Sequence, residues 1–119
     1  MRYLFPITFV LIFLCSCDFL NPSKKLYGEW QCVSWTSEGK QTDYDVAHTF
    51  FNFKDNDTYT GSIDNGPQKG SFYVEDGYLH TTADGDSRIM TKIEKIVPDT
   101  LHLSLNRSGT IEEMIFIKK

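Results

Sequence analysis

The sequence predicts an all-β protein, an eight-stranded antiparallel up-and-down barrel that follows a short apolar leader. Three observations carry this reading. Apolar and aromatic residues recur with period two in short runs, turn-forming residues punctuate the runs at regular intervals, and no stretch supports a long amphipathic helix. At 119 residues the chain has room for one domain, and nine Phe, six Tyr and two Trp supply ample apolar surface for its core. An eight-stranded meander with tight turns removes both sheet edges by closing on itself.

The leader comes first. Met1-Arg2-Tyr3 is followed by an apolar run from Leu4 to Leu14 and then by Cys15-Ser16-Cys17-Asp18. One positive charge before a short apolar stretch matches a secretory signal. Eleven helical residues span roughly 16 Å, too little to cross a membrane. Leu14-Cys15-Ser16-Cys17 resembles the bacterial lipobox, in which the last Cys receives a diacylglyceryl group before cleavage. That resemblance makes 1–16 a signal peptide, Cys17 the lipidated first residue, 17–26 a tether and 27–119 the barrel domain. Cleavage leaves 103 of 119 residues, with 11 basic against 16 acidic, a net charge of −5.

The strands then follow in order. Gly28 to Trp35 is the first, with Trp30 and Cys32 on one face and Val33 and Trp35 on the other. A polar loop, Thr36 to Asp45, leads to Ala47–Lys54 and Asp57–Ile63, a hairpin around Asp55-Asn56-Asp57. Asp64-Asn65-Gly66-Pro67 is dense in turn formers. Gly70–Val74 and Tyr78–Thr82 pair across Glu75-Asp76-Gly77, an Asp-Gly hairpin signal. Arg88–Val97 turns at Pro98-Asp99 into Leu101–Asn106, and Arg107-Ser108-Gly109 closes a last hairpin with Ile111–Lys118. Phe51, Phe53, Phe72, Ile93, Leu101, Leu103 and Phe116 are positioned to fill the interior.

Leu26-Tyr27-Gly28-Glu29-Trp30 resembles the lipocalin Gly-x-Trp signature. Phe53-Lys54-Asp55-Asn56-Asp57-Thr58-Tyr59 and Asp99-Thr100-Leu101-His102-Leu103 extend the match to small bacterial, Bacteroidetes-type lipocalin-like lipoproteins. The resemblance implies that Gly28 and Trp30 are structural, with Trp30 packed across the closed end of the barrel under an Arg from near the last strand. No Arg follows Arg107, so that partner is missing or replaced by Lys in Ile117-Lys118-Lys119.

Functional chemistry is thin. A formal charge of −4 argues against nucleic acid, whose phosphates need a basic face. His48, His80 and His102 fall in three separate expected strands without metal-ligand spacing, and the two Asp-rich turns do not continue into a calcium loop. Glu112 and Glu113, adjacent on a strand, point to opposite faces and cannot form an acid–base dyad. The sequence therefore predicts a non-enzyme without metal or cofactor. The favoured function is a membrane-anchored envelope lipoprotein whose barrel holds a small apolar or amphipathic ligand, with Trp35, Tyr44 and Phe50 as rim contacts. The alternative is a protein-interaction lipoprotein, inhibitor-like or immunity-like, with a filled barrel. The expected place is the cell envelope, at the outer membrane facing the periplasm or the cell surface. If Cys17 carries lipid, Cys17→Ser or globomycin treatment releases the protein from the membrane fraction; retention in that fraction would refute the assignment.

Overall fold

The computed structural model describes residues 21–119; the leader and Cys17 lie outside the described residues. A 3-10 turn at Pro22–Leu26 opens the described chain. Nine strands follow: β1 (Gly28–Ser37), β2 (Lys40–Gln41), β3 (Phe50–Phe53), β4 (Thr58–Ile63), β5 (Gly66–Glu75), β6 (Tyr78–Ala83), β7 (Ile89–Val97), β8 (Thr100–Arg107) and β9 (Thr110–Lys118). All pair antiparallel, and β9 returns to β1, closing eight strands into a barrel with the two-residue β2 appended to the end of β1.

Period-two patterning builds the walls. Phe51 and Phe53 of β3, Leu101 and Leu103 of β8, and Met114 and Phe116 of β9 all point inward and are buried, while the residues between them face out. All seven residues expected inside lie in the core or pack against it, Ile93 as a half-buried member. The tight turns use left-handed backbone where the sequence has Asp, Asn, Ser or Gly. Asp64-Asn65, Asp76-Gly77 and Ser108-Gly109 each place two successive residues at positive φ, as a two-residue hairpin requires.

Three expectations need correction. Ala47 does not begin a strand. Val46–His48 is a second 3-10 turn, because the Asp45 carboxylate accepts the His48 backbone N–H at 3.1 Å and Gln31 Nε2 donates to the Val46 carbonyl at 2.9 Å. His48 is therefore in a turn and not in a strand. The strand expected from Gly70 also starts earlier, since only Asp64-Asn65 turns, leaving Gly66 and Pro67 paired in β5. Finally, Val33 and Trp35 do not share a face. A β-bulge between Cys32 and Ser34 shifts the register, so Val33 is exposed and Trp35 turns inward beside Cys32.

The closed end is plugged by Leu26 and Trp30, both fully buried. Trp30 Nε1 donates to the Leu26 carbonyl at 2.9 Å, and Ser23 Oγ accepts the Val74 backbone N–H at 3.0 Å, tying the opening turn to β5. Lys118 takes the cationic role over the tryptophan. Its Nζ stands 5.1 Å from the Trp30 ring centroid and donates to the Tyr27 carbonyl at 2.8 Å. Gly28 makes room for it, since a Cβ there would come within 2.7 Å of Lys118 Cε, and the glycine sits at φ +127. Gly28→Ala therefore meets both a steric and a backbone penalty, about 1–3 kcal/mol. The expected result is a fall in Tm of about 4–8 °C for each kcal/mol, measurable by calorimetry; an unchanged Tm would contradict this account of the plug.

Candidate functional site

The opposite end of the barrel is where loops gather. The ends of β1, β4, β6 and β8 reach it, together with the long segment from Thr42 to Thr49. Trp35, near the end of β1, is 1% exposed and occupies the centre of this region. Tyr44 stacks on its ring at 4.2 Å between centroids, and Thr42 Oγ1 donates to the Trp35 carbonyl at 3.1 Å. Across from Tyr44, Trp35 Nε1 donates to Glu112 Oε1 at 2.8 Å. The second Glu112 oxygen lies 3.1 Å from Arg107 Nε. Glu112 is 5% exposed, so this carboxylate is buried with two donors to satisfy it.

The loop that carries Tyr44 is braced from three directions. The Asp45 backbone N–H donates to Asp64 Oδ1 at 2.6 Å, Thr49 Oγ1 donates to the Asp45 carbonyl at 2.8 Å, and the Asp64 N–H donates to Thr49 Oγ1 at 2.9 Å. His48 Nδ1 lies 2.8 Å from Asp45 Oδ2 and holds the Asp45 carboxyl below its usual range. That stabilisation is present above the ordinary aspartate pKa and fades as pH falls through the lowered one.

Beneath Trp35 the interior is not filled. A cavity of about 110 Å³ opens to solvent between Ile89 and Arg107. Trp35 and Phe51 are its aromatic lining, and Ile63, Leu79, Leu103, Leu105 and Met114 extend its apolar wall. Ile89, at its edge, is 56% exposed, an unusual position for a large aliphatic side chain. Thr81 and Thr91 are the hydroxyl-bearing residues in the wall. An engineered apolar cavity of about 150 Å³ takes up benzene, so this one suits the end of an apolar group of a few carbons.

Of the residues expected at the rim, Trp35 borders the cavity and Tyr44 backs it from the far side of the indole. The structure does not bring Phe50 to them. Its ring is on the outer wall, with Lys119 Nζ 5.7 Å from its centroid. Sequence reasoning missed Ile89, Arg107 and Glu112 as mouth residues. Inward alternation on β9 marks Glu112, but only barrel closure sets it beside Trp35.

Other reactive groups stay apart from this site. Cys32 is buried and its thiol is pushed up to about 11, first by desolvation and against a weaker effect of the Ser34 carbonyl. At neutral pH it is therefore an unreactive thiol. His80 lies flat on Tyr73 at 4.4 Å and His102 faces Glu113 at 3.4 Å, so the three histidines do not converge. Among the described residues, no group of three His, Cys, Asp or Glu side chains is placed to hold a metal ion.

A closed eight-stranded barrel, plugged at one end by a tryptophan under a cation and open at the other over a small apolar cavity, defines the calyx class of β-barrel. The lipocalin-like domain family model matches residues 26–103, and the chain belongs to that family. A lipocalin-like protein from Bacteroides uniformis, solved by crystallography, shares the fold with a TM-score of 0.59 at 17% identity, over 80% of this chain and 99% of that one. No curated protein is a significant match.

Glu112→Ala leaves Trp35 Nε1 and Arg107 without their shared acceptor, and should destabilise the protein by about 1–3 kcal/mol. Glu112→Gln keeps an acceptor for the indole and should cost less. Urea unfolding of both variants tests this; equal losses would show that the indole hydrogen bond is not what matters.

Proposed function

We propose that the protein is a lipid-anchored component of the bacterial cell envelope whose barrel mouth binds a small apolar or amphipathic molecule. In this reading residues 1–16 are removed, Cys17 is acylated, and 17–26 tether a barrel that spans 27–119. The observation that carries it is the cavity under Trp35, because a binding barrel needs unfilled apolar space reachable from solvent. The ligand's apolar end would sit against Trp35, Leu103 and Met114. Its polar part would remain at the edge, within reach of Arg107, whose side chain is half exposed.

A second reading rests on the outer wall. Exposed Tyr73 and Met90 flank His80 across β5, β6 and β7, exposed Tyr78 lies two residues from His80 on the same face, and Arg88 donates to the Tyr73 hydroxyl at 3.0 Å. Tyr, Met and Arg are the residue types enriched where proteins meet. This face supports a protein-interaction role that needs no occupied cavity.

A panel of short-chain fatty acids and small aromatic solutes separates the two. Binding at the mouth should perturb Trp35 fluorescence and the Met114 methyl resonance at sub-millimolar ligand. Ile89→Trp, at an exposed position, should weaken that binding by about tenfold or more, as expected for about 1.4 kcal/mol, without lowering Tm. If no compound perturbs either probe, the ligand-binding reading is lost. A stoichiometric partner captured by cross-linking in cells, and released by Tyr73→Ala, would then favour the second.

A further inference from the structure

We propose that the closed end of the barrel is a docking face for anionic phospholipid, built from two adjoining clefts rimmed by Lys24, Lys25 and Lys95, with Lys118, held by Trp30 and the Tyr27 carbonyl, at the margin of the smaller one. The proposal rests on the envelope-anchor reading above and adds an orientation to it. The larger cleft, about 710 Å³, lies between the opening 3-10 turn and β7; the smaller, about 480 Å³, continues toward the β7–β8 turn. They share Lys24, Lys25 and Ile96, so they form one continuous surface. Its walls are mainly aliphatic, with Val74, Ile93, Val97 and Pro98 contributing. Ammonium groups above an apolar floor are the complement of a phosphate headgroup above acyl chains.

Asp57, on the β3–β4 turn at the same end, accepts from the Tyr27 hydroxyl at 3.0 Å, and Asp55 stands on that turn as well. Glu94, at the cleft margin, accepts from Ser104 Oγ at 3.0 Å and pairs with Lys92 at 3.3 Å, and these partners lower its pKa. Asp99 accepts from Thr100 Oγ1 at 3.2 Å. Glu75 and Asp76 stay exposed to water at the neighbouring turn. At the mouth, Glu38, Asp43, Asp45, Asp64, Asp84 and Asp86 outnumber Lys40, Arg88 and Arg107. The lining of the two clefts carries four lysines against Glu94 alone, whereas Asp43, Asp64 and Glu112 line the depression at the mouth, so an anionic bilayer is drawn to the clefts more than to the mouth.

The path of the chain agrees. Asn21 and Pro22 themselves form part of the larger cleft's wall. Asn21 is four residue steps from a lipid on Cys17, and even a fully extended chain spans only about 14 Å over that distance. An anchor there holds the lysine-rimmed face within reach of headgroups, and the cavity mouth turns away from them.

The full chain, added from detergent to preformed vesicles of phosphatidylcholine alone or mixed with phosphatidylglycerol, provides the test. Amine-labelling rates of Lys25 and Lys95, read by mass spectrometry, should fall about threefold or more in the anionic vesicles relative to the neutral ones. Lys40 and Lys69, toward the mouth, should keep their rates. High salt, or a Lys25→Glu, Lys95→Glu double variant, should abolish the difference. Partition into both vesicles with equal labelling of Lys25 and Lys95 would overturn the docking face while leaving the anchor intact. Partition into anionic vesicles alone, with those lysines slowed, would support the docking face and remove the anchor. Partition into neither would remove both.

Discussion

The contact between Lys118 and Trp30 organises this barrel, because it joins the first strand, the last strand and the opening turn at one point. Trp30 alone would close the end of the barrel as any large aromatic does. With Lys118 above the ring and hydrogen-bonded to the Tyr27 carbonyl, the same residue also fixes where β9 meets β1. Leu26 completes the arrangement by accepting from the indole nitrogen, so the turn before β1 cannot drift away from it. The glycine two residues before Trp30 follows from these contacts. A side chain at Gly28 would occupy the space that Lys118 uses, and the backbone there lies at a positive φ. The Gly-x-Trp pair is thus one half of an interaction whose other half is a cation from the far end of the chain.

At the other end, the β-bulge at Val33 plays a comparable part. Strict alternation would set Trp35 on the outer wall, opposite to Cys32. The extra residue returns it to the interior, where it becomes the wall of the cavity, the platform for Tyr44 and the donor to Glu112. One inserted residue thus decides that Trp35 lines this end of the barrel. Val33 stays exposed, on the outer wall where regular alternation would have left Trp35 with it.

The eight barrel strands and the interior aromatics were legible in the sequence because both depend on local signals: period-two alternation and Asp-Gly, Ser-Gly or Asp-Asn turn chemistry. The Lys substitution at the plug was legible as a possibility for the same reason, since the last residues contain no Arg. What escaped was non-local. Val46–His48 reads as the start of a strand until Gln31, on a neighbouring strand, claims its carbonyls. Bulges leave no periodicity mark of their own, so alternation alone puts Trp35 on the wrong face. The mouth residues Ile89, Arg107 and Glu112 come from three different strands, and only closure of the barrel assembles them. Phe50 had the composition of a rim residue but sits on the outer wall.

The pairing of β1 with β9 also shapes how the chain acquires its structure. Every other barrel neighbour is joined by a connection of a few residues or by the single longer loop before β3, so those pairs can form as local hairpins. Closure joins the two ends of the domain, and Trp30 finds its cation only when Lys118 is available. Such a contact carries the largest loop-closure entropy in the molecule and belongs to the class that slows folding most. Until the final strand arrives, β1 and β8 each present an unpaired edge. A chain shortened by its last ten residues would lose β9 and keep both edges, making it a candidate for aggregation rather than a smaller working barrel.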